Sequence, residues 1–221
     1  MSRKKTKKDV HDWFYDGMWV KYKPHCYDPS KDHYKFGLVI DYEGDVLLYE
    51  NEEQKNVFRV QVPEKEIENF FEPMDEIDTP YKENTNETFR FIIGVWNVQI
   101  ARSLIHKDRV TLDVTQDWIA SNYNQMLKHI DQDNDNVMLL GVHIEKEHAL
   151  SDNCDLNNPI IITTSIDKSD NGMRFFEEHG KYRLMSLPID GWHRIYKAYH
   201  QNSTLKAYVM HPEENEIIRL H

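Results

Sequence analysis

Cysteine is scarce in this chain: Cys26 and Cys154 are the only two, far apart and in no Cys-x-x-Cys pair. That excludes a clustered zinc site and a disulfide-stapled scaffold. Reduced thiols in a cytoplasmic protein are the expectation. Long apolar runs are lacking too. No stretch approaches the roughly 20 residues that cross a bilayer, so no membrane partner is expected. Glycine is sparse, 8 residues in 221, and none falls in Gly-x-x-x-x-Gly-Lys-Ser/Thr, Gly-x-Gly-x-x-Gly or Gly-x-Ser-x-Gly. The common phosphate loops and the nucleophile elbow are therefore excluded. No His-Glu-x-x-His occurs among the 12 histidines. Positive charge is in deficit: 27 Lys and Arg against 38 Asp and Glu leave a net charge of −11. Such a field does not favour nucleic-acid backbones, although a local basic patch still can bind them.

The basic start, with Arg3, Lys4, Lys5, Lys7 and Lys8, lacks the apolar run of a signal peptide, because His11, Asp12 and Asp16 intervene. Residues 1–12 read as a flexible, solvated basic arm. Contact with nucleic acid or an acidic partner is the alternative.

Hydrophobic residues make up 39% and aromatics 12% of the chain, enough to build a core. The length allows one large domain or two small ones. A polar stretch with Pro73 and Pro80 reads as a linker over 73–88. Before it, over 13–72, short β-like runs follow one another at 18–22, 36–42, 46–49 and 57–62, and 63–68 closes the set. Turn signals at this spacing predict a small antiparallel barrel of SH3-like architecture, a type that mostly binds proteins. Trp13, Phe14, Tyr15 and Trp19 are expected to pack in its core, with a binding surface as the alternative.

After the linker, 89–96 is β-branched and aromatic and reads as one strand. Residues 98–105 fit a helical turn or an extended run equally well. A short strand is expected at 110–114. Thr115-Gln116-Asp117 opens a helix to about Ile130, whose buried face is Trp118, Ile119, Asn122, Tyr123, Met126, Leu127 and Ile130. Residues 137–144 are apolar, and 158–164 and 205–210 read as strands. The expected class is α+β, with the second domain over 89–221.

Two constellations invite metal readings. Asp131-Gln132-Asp133-Asn134-Asp135-Asn136 begins like a calcium loop, but Asn136 stands where Gly is needed and Val142 where Glu is needed. It reads as a polar connection. His143-Ile144-Glu145 has the His-x-Glu of zinc deaminases without a Pro-Cys-x-x-Cys partner. A solvated strand face is the expected reading, with metal binding by His143, Glu145, Glu147 and His148, which are competent ligand types, as the alternative.

Chemistry concentrates at Asp190-Gly191-Trp192-His193-Arg194, between a strand ending at Asp190 and a helix starting near His193. Gly191 permits close approach of backbone to a ligand. The free N–H groups of a new helix favour an anion, and a guanidinium is a fork of donors for phosphate. In this reading Gly191 and the N–H groups of Trp192 and His193 cradle a phosphate, and Arg194 neutralises it. His193 donates or transfers a proton, and Asp190 orients His193 or holds Mg²⁺. The plain alternative is structural: Asp190 caps the helix, His193 bonds a neighbouring loop, Arg194 pairs with Glu178 or Asp170, and Trp192 packs on the core.

Gly191-Trp192-His193-Arg194 resembles the Gly-x-His-Arg turn of the ParB/sulfiredoxin superfamily. Asn158–Thr164 before it and Leu205–Met210 after it are similar to that family's flanking strands, so the likeness spans roughly 98–215. The resemblance implies a ParB/sulfiredoxin-like mixed α/β domain and nucleotide-phosphate contacts at the turn. Activities in the family include CTP hydrolysis, ATP-dependent sulfinic-acid reduction, serine phosphorylation and reported nucleases. Trp192 stands where sulfiredoxins carry their catalytic cysteine, which argues against reductase activity. No helix-turn-helix domain is expected after the last strand. The expected function is binding of an ATP- or CTP-class nucleotide with Mg²⁺, with hydrolysis or transfer at Asp190 and His193. The alternatives are a non-enzymatic interaction module whose barrel binds a protein partner, and a DNA-associated nuclease-like factor, which the acidic charge opposes.

Overall fold

Short alternating segments separated by polar turns dominate the first part of the chain, and they pair in sequence order. The computed structural model describes residues 17–26, 28, 34, 36–41, 45–62, 64–74, 79–81, 87–91, 94–132, 142–165 and 185–220. Two compact units emerge: the described residues up to Tyr81 together with Ile105–Val110, and those of Lys82–Leu104 together with Thr111–His221.

The first unit contains β1 (Trp19–Tyr22), β2 (Phe36–Asp41), β3 (Asp45–Tyr49), β4 (Val57–Gln61), α1 (Glu64–Phe70) and β5 (Phe71–Pro73). They form a five-stranded antiparallel sheet in the order β4-β3-β2-β1-β5. One face buries Met18, Val20, Val39, Val46, Leu48, Ile67 and Phe71. On β3 the apolar run Val46-Leu47-Leu48-Tyr49 is buried throughout, as expected of a strand covered on both faces. The rings of Trp19, Phe36 and Tyr49 meet with centroids 5.6 Å apart in each pair. Trp13, Phe14 and Tyr15 lie outside the described residues. The expected closed barrel is not what the described pairings form: β4 and β5 are the edges of an open sheet, and the three-residue β5 pairs with β1 alone.

The second unit begins with a hairpin, β6 (Thr88–Phe91) and β7 (Gly94–Asn97), in which Phe89 faces Trp96. The single strand expected over 89–96 is thus two. Residues 92 and 93 lie outside the described residues. Next come α2 (Val98–Ser103), β8 (Leu112–Val114), α3 (Gln116–Asp131) and α4 (Lys146–Leu150). The Asn97 side chain accepts the Ile100 N–H at 2.9 Å and starts α2. Thr115 Oγ1 does the same for Trp118 at 3.3 Å in α3. Such caps satisfy donors that a helix start leaves open. Ile119, Met126, Leu127 and Ile130 form the buried stripe of α3; Asn122, expected in it, is exposed.

The chain closes with β9 (Ile160–Ser165), β10 (Met185–Asp190), α5 (Trp192–Gln201), β11 (Leu205–Val209) and α6 (Pro212–Ile218). The sheet order is β10-β9-β11-β8, with β9 parallel to β11 and the other pairs antiparallel. Ile160, Ile161, Ile162 and Thr163 of β9 are all buried. Helix α6, unforeseen in the sequence, starts with Pro212 and is closed by Glu214 accepting the His211 N–H at 2.8 Å. Thr163 donates its hydroxyl to Asn215, which ties α6 to the central strand. No helix among the described residues is long and apolar enough to cross a membrane.

Candidate functional site

Strand β10 approaches its end through an irregularity: its pairing with β9 shifts register between Pro188 and Asp190. Gly191 then takes φ +97, ψ 23, and α5 begins at Trp192 with no side chain capping its first turn. Two facts demand glycine there. The left-handed backbone disfavours any Cβ. A Cβ would also stand 2.9 Å from Ile160 Cβ, closer still to Ile160 Cγ2, and 2.8 Å from Arg194 Nη2. The turn is therefore pressed directly onto the start of β9.

Trp192 anchors the turn. It is 7% exposed, stacks on Phe89 at 6.4 Å and 21°, and receives Tyr123 edge-on at 5.0 Å and 83°. The Tyr123 hydroxyl donates to Ser186 O at 3.0 Å, and burial raises its pKa. Trp192 Nε1 is buried with no hydrogen-bond partner among the described residues.

The charges form a chain. Asp190 Oδ2 lies 3.3 Å from Arg194 Nη2, and Asp190 Oδ1 lies 3.1 Å from Arg102 Nη2 of α2. Arg102 Nη1 in turn meets Glu87 Oε2 at 2.8 Å. The side chains of Asp190, Arg194 and Arg102 are 12%, 18% and 23% exposed, so this is a half-buried network. Burial works against the Arg102 charge, but Asp190 and Glu87 raise its pKa above the ordinary guanidinium value.

His193 turns the other way. Its Nε2 accepts the backbone N–H of Glu145 at 3.2 Å, and its ring meets His148 edge-on at 5.2 Å. Burial pushes its pKa below the ordinary value, and so do His148, His143 and Arg194; Glu145 opposes them. An accepting Nε2 in a ring with a depressed pKa describes a neutral imidazole whose proton is on Nδ1.

Around this turn α5 is bolted to its neighbours. Lys197, 8% exposed, donates to Ser151 O at 2.7 Å and Cys154 O at 2.8 Å. Cys154 is 5% exposed. Burial raises its thiol pKa in spite of Lys197 and Arg194, so this is a quiet thiol. Asp131 Oδ1 accepts from Tyr196 at 2.6 Å and meets His200 Nε2 at 2.9 Å.

The five turn residues thus come together as the sequence places them, with a different division of labour. The Asp190 carboxylate bridges two arginines, and it is the Glu145 backbone that orients His193. Both Asp190 oxygens face guanidinium groups, so the donor set does not fit a Mg²⁺ ligand. Among the described residues no group of three or more His, Cys, Asp or Glu is placed to hold a metal ion, His143, Glu145, Glu147 and His148 included. Asp113 pairs with Lys206 across the sheet at 2.6 Å. Asp170 and Glu178 lie outside the described residues. Arg102 escaped the sequence reading altogether; nothing local marks it.

The fold and the turn define an α+β protein with a half-buried arginine–carboxylate network at a strand-to-helix junction. No family model matches the chain, and neither a curated protein nor a solved structure matches it.

Proposed function

We propose that the second unit is a ParB/sulfiredoxin-like nucleoside-phosphate-binding domain, with the phosphate at the Asp190–Arg194 turn. One observation carries this reading: Gly191, held at φ +97 against Ile160, presents an uncapped ten-residue helix start beside the guanidinium groups of Arg194 and Arg102. Open N–H donors and two guanidiniums are what a phosphate's oxygens require. Gly191 supplies the left-handed turn that starts the helix, and the N–H groups of Trp192 and His193 with Arg194 bind the anion. The neutral His193 supplies a donor at Nδ1. Because its Nε2 is already engaged by the Glu145 N–H, the arrangement supports binding rather than proton transfer.

The first unit supports a second role. Its strand order, with α1 leading into β5, is compatible with an SH3-like arrangement left open between β4 and β5. It exposes Phe58 at 53% and Phe70 at 42%. Phe70 also lines a shallow cavity of about 360 Å³ with Tyr22, Val60, Val62 and Phe71. Exposed aromatics of this kind favour a protein partner. Nucleic acid remains opposed by the net charge of −11.

The test is thermal stability of wild type and Arg194→Ala against ATP, ADP, CTP and GTP, with and without Mg²⁺. A ligand at 100 times its Kd adds about 2.7 kcal/mol, a shift of several degrees in Tm. A shift in wild type that Arg194→Ala loses is the expected result. No shift with any nucleotide overturns the reading and directs attention to Phe58 and Phe70.

A further inference from the structure

Asp190 is held in an unusual way for a carboxylate at the end of a strand. Each of its oxygens answers a different arginine, Oδ1 to Arg102 at 3.1 Å and Oδ2 to Arg194 at 3.3 Å. Both distances exceed the roughly 2.7–2.9 Å of a strong charge-assisted bond. Arg194 gives Asp190 only its Nη2. Its Nε, the other donor on that edge of the fork, is buried with no hydrogen-bond partner among the described residues. A guanidinium with one donor on a carboxylate and the adjacent one unmet is half of a bidentate oxyanion site. The same edge lies beside Gly191: a Cβ there would stand 2.8 Å from Arg194 Nη2.

We propose that the Asp190 carboxylate is an internal stand-in for a phosphate. An incoming phosphoryl group displaces it from Arg194 and recruits Arg102 as the second guanidinium of the site. This rests on the phosphate reading of the same turn and adds to it a residue, a competition and a ligand preference. In the resting state the two arginines are neutralised from within by Asp190 and, on Arg102, by Glu87. A phosphodiester, with one negative charge, gains little over a carboxylate. A terminal phosphoryl group carries nearly two negative charges and three acceptor oxygens. It has the charge to displace Asp190 and an oxygen for each of Arg194 Nε, Arg194 Nη2 and Arg102 Nη2. The site therefore selects terminal phosphates over diesters.

Inorganic phosphate is the direct probe, titrated calorimetrically into the full chain as wild type, Asp190→Asn, Arg102→Gln and the double variant. Asp190→Asn keeps the shape and removes the competing charge. It is expected to bind phosphate about tenfold tighter than wild type, the order of a charged hydrogen bond released for the ligand. Adding Arg102→Gln is expected to erase that gain, the signature of coupled residues. Equal or weaker binding by Asp190→Asn, or a gain that survives Arg102→Gln, overturns the proposal. If wild type binds nucleotide through Arg194 while Asp190→Asn binds phosphate more weakly, only the stand-in falls. If Asp190→Asn gains phosphate while no nucleotide binds wild type, the stand-in holds and the nucleoside part of the reading falls. Should Asp190→Asn fail to fold, Glu87→Gln lifts the second carboxylate from Arg102 without touching the turn. It is expected to tighten phosphate a fewfold, and unchanged or weakened binding there overturns the proposal.

Discussion

The two units distribute their charge pairs differently. In the first, two ion pairs lie at the surface, Lys21–Glu72 with side chains 53% and 37% exposed and Lys55–Glu53 with 57% and 48%, while Arg59–Asp45 is more sheltered at 39% and 15%. Its buried residues are mostly hydrocarbon and rings, and Gln54, His106 and Arg109 are the buried polar ones among its described residues. In the second, Arg102, Asp190, Arg194 and Lys197 are drawn inward, and Glu214 is fully buried. Exposed pairs contribute little because water screens them. Half-buried pairs matter because losing one partner strands the other. The difference teaches where to look for function: only around Asp190 do the described ion pairs link two half-buried guanidiniums through one carboxylate.

The comparison breaks most severely at Gly191. Gly191→Ala is expected to destabilise the chain by about 2–4 kcal/mol in urea unfolding, from left-handed backbone and collision with Ile160 together. A loss under about 0.5 kcal/mol, the scatter of ordinary surface changes, would mean that the turn yields and is not pressed on β9.

Arginine and lysine variants sharpen it next. Arg102→Ala is expected to cost about 1–3 kcal/mol by leaving Asp190 with one guanidinium. Lys21→Ala in the first unit is expected to cost about 0.5 kcal/mol or less. Equal losses measured in the same buffer would erase the distinction between the units.

The smallest effect is in pH. Because burial, with His148, His143 and Arg194, lowers the His193 pKa below its ordinary 6.5, the unfolded chain binds that proton more readily than the folded one. His193 therefore favours folding fully above about pH 6.5, and the contribution is lost as pH falls from there through the depressed folded value. Protonation also turns Nε2 into a donor facing the Glu145 N–H. His193→Gln, whose amide oxygen can still accept, is expected to flatten the slope of stability below about pH 6.5. An unchanged slope would assign the dependence to other histidines.

Much of this architecture was readable from alternation and turn residues. The runs around Trp19, Phe36, Val46 and Val57 are strands, and Thr115 does cap α3. The hairpin of β6 and β7 was not readable, since Ile92 and Ile93 carry no turn chemistry. Helix α6 hid behind polar residues, because Glu214 and Asn215 are buried through bonds to His211 and Thr163 that only the tertiary fold creates. At the turn the residues were legible and their partners were not. Arg102 arrives from a distant helix, and Glu145 contributes a backbone N–H that any residue possesses.

The strand order β10-β9-β11-β8 has a consequence for how the chain is made. Strand β11 lies between β9 and β8, and among the described pairings it is the sole partner of β8. On the ribosome, Leu112–Val114 leaves the exit tunnel long before Leu205–Val209 exists. At roughly 5–20 residues per second, that edge waits for seconds without its neighbour. Leu205–Val209 must be made before the second sheet can close, so a ribosome that stalls before Leu205 releases the edge to chaperones or to aggregation.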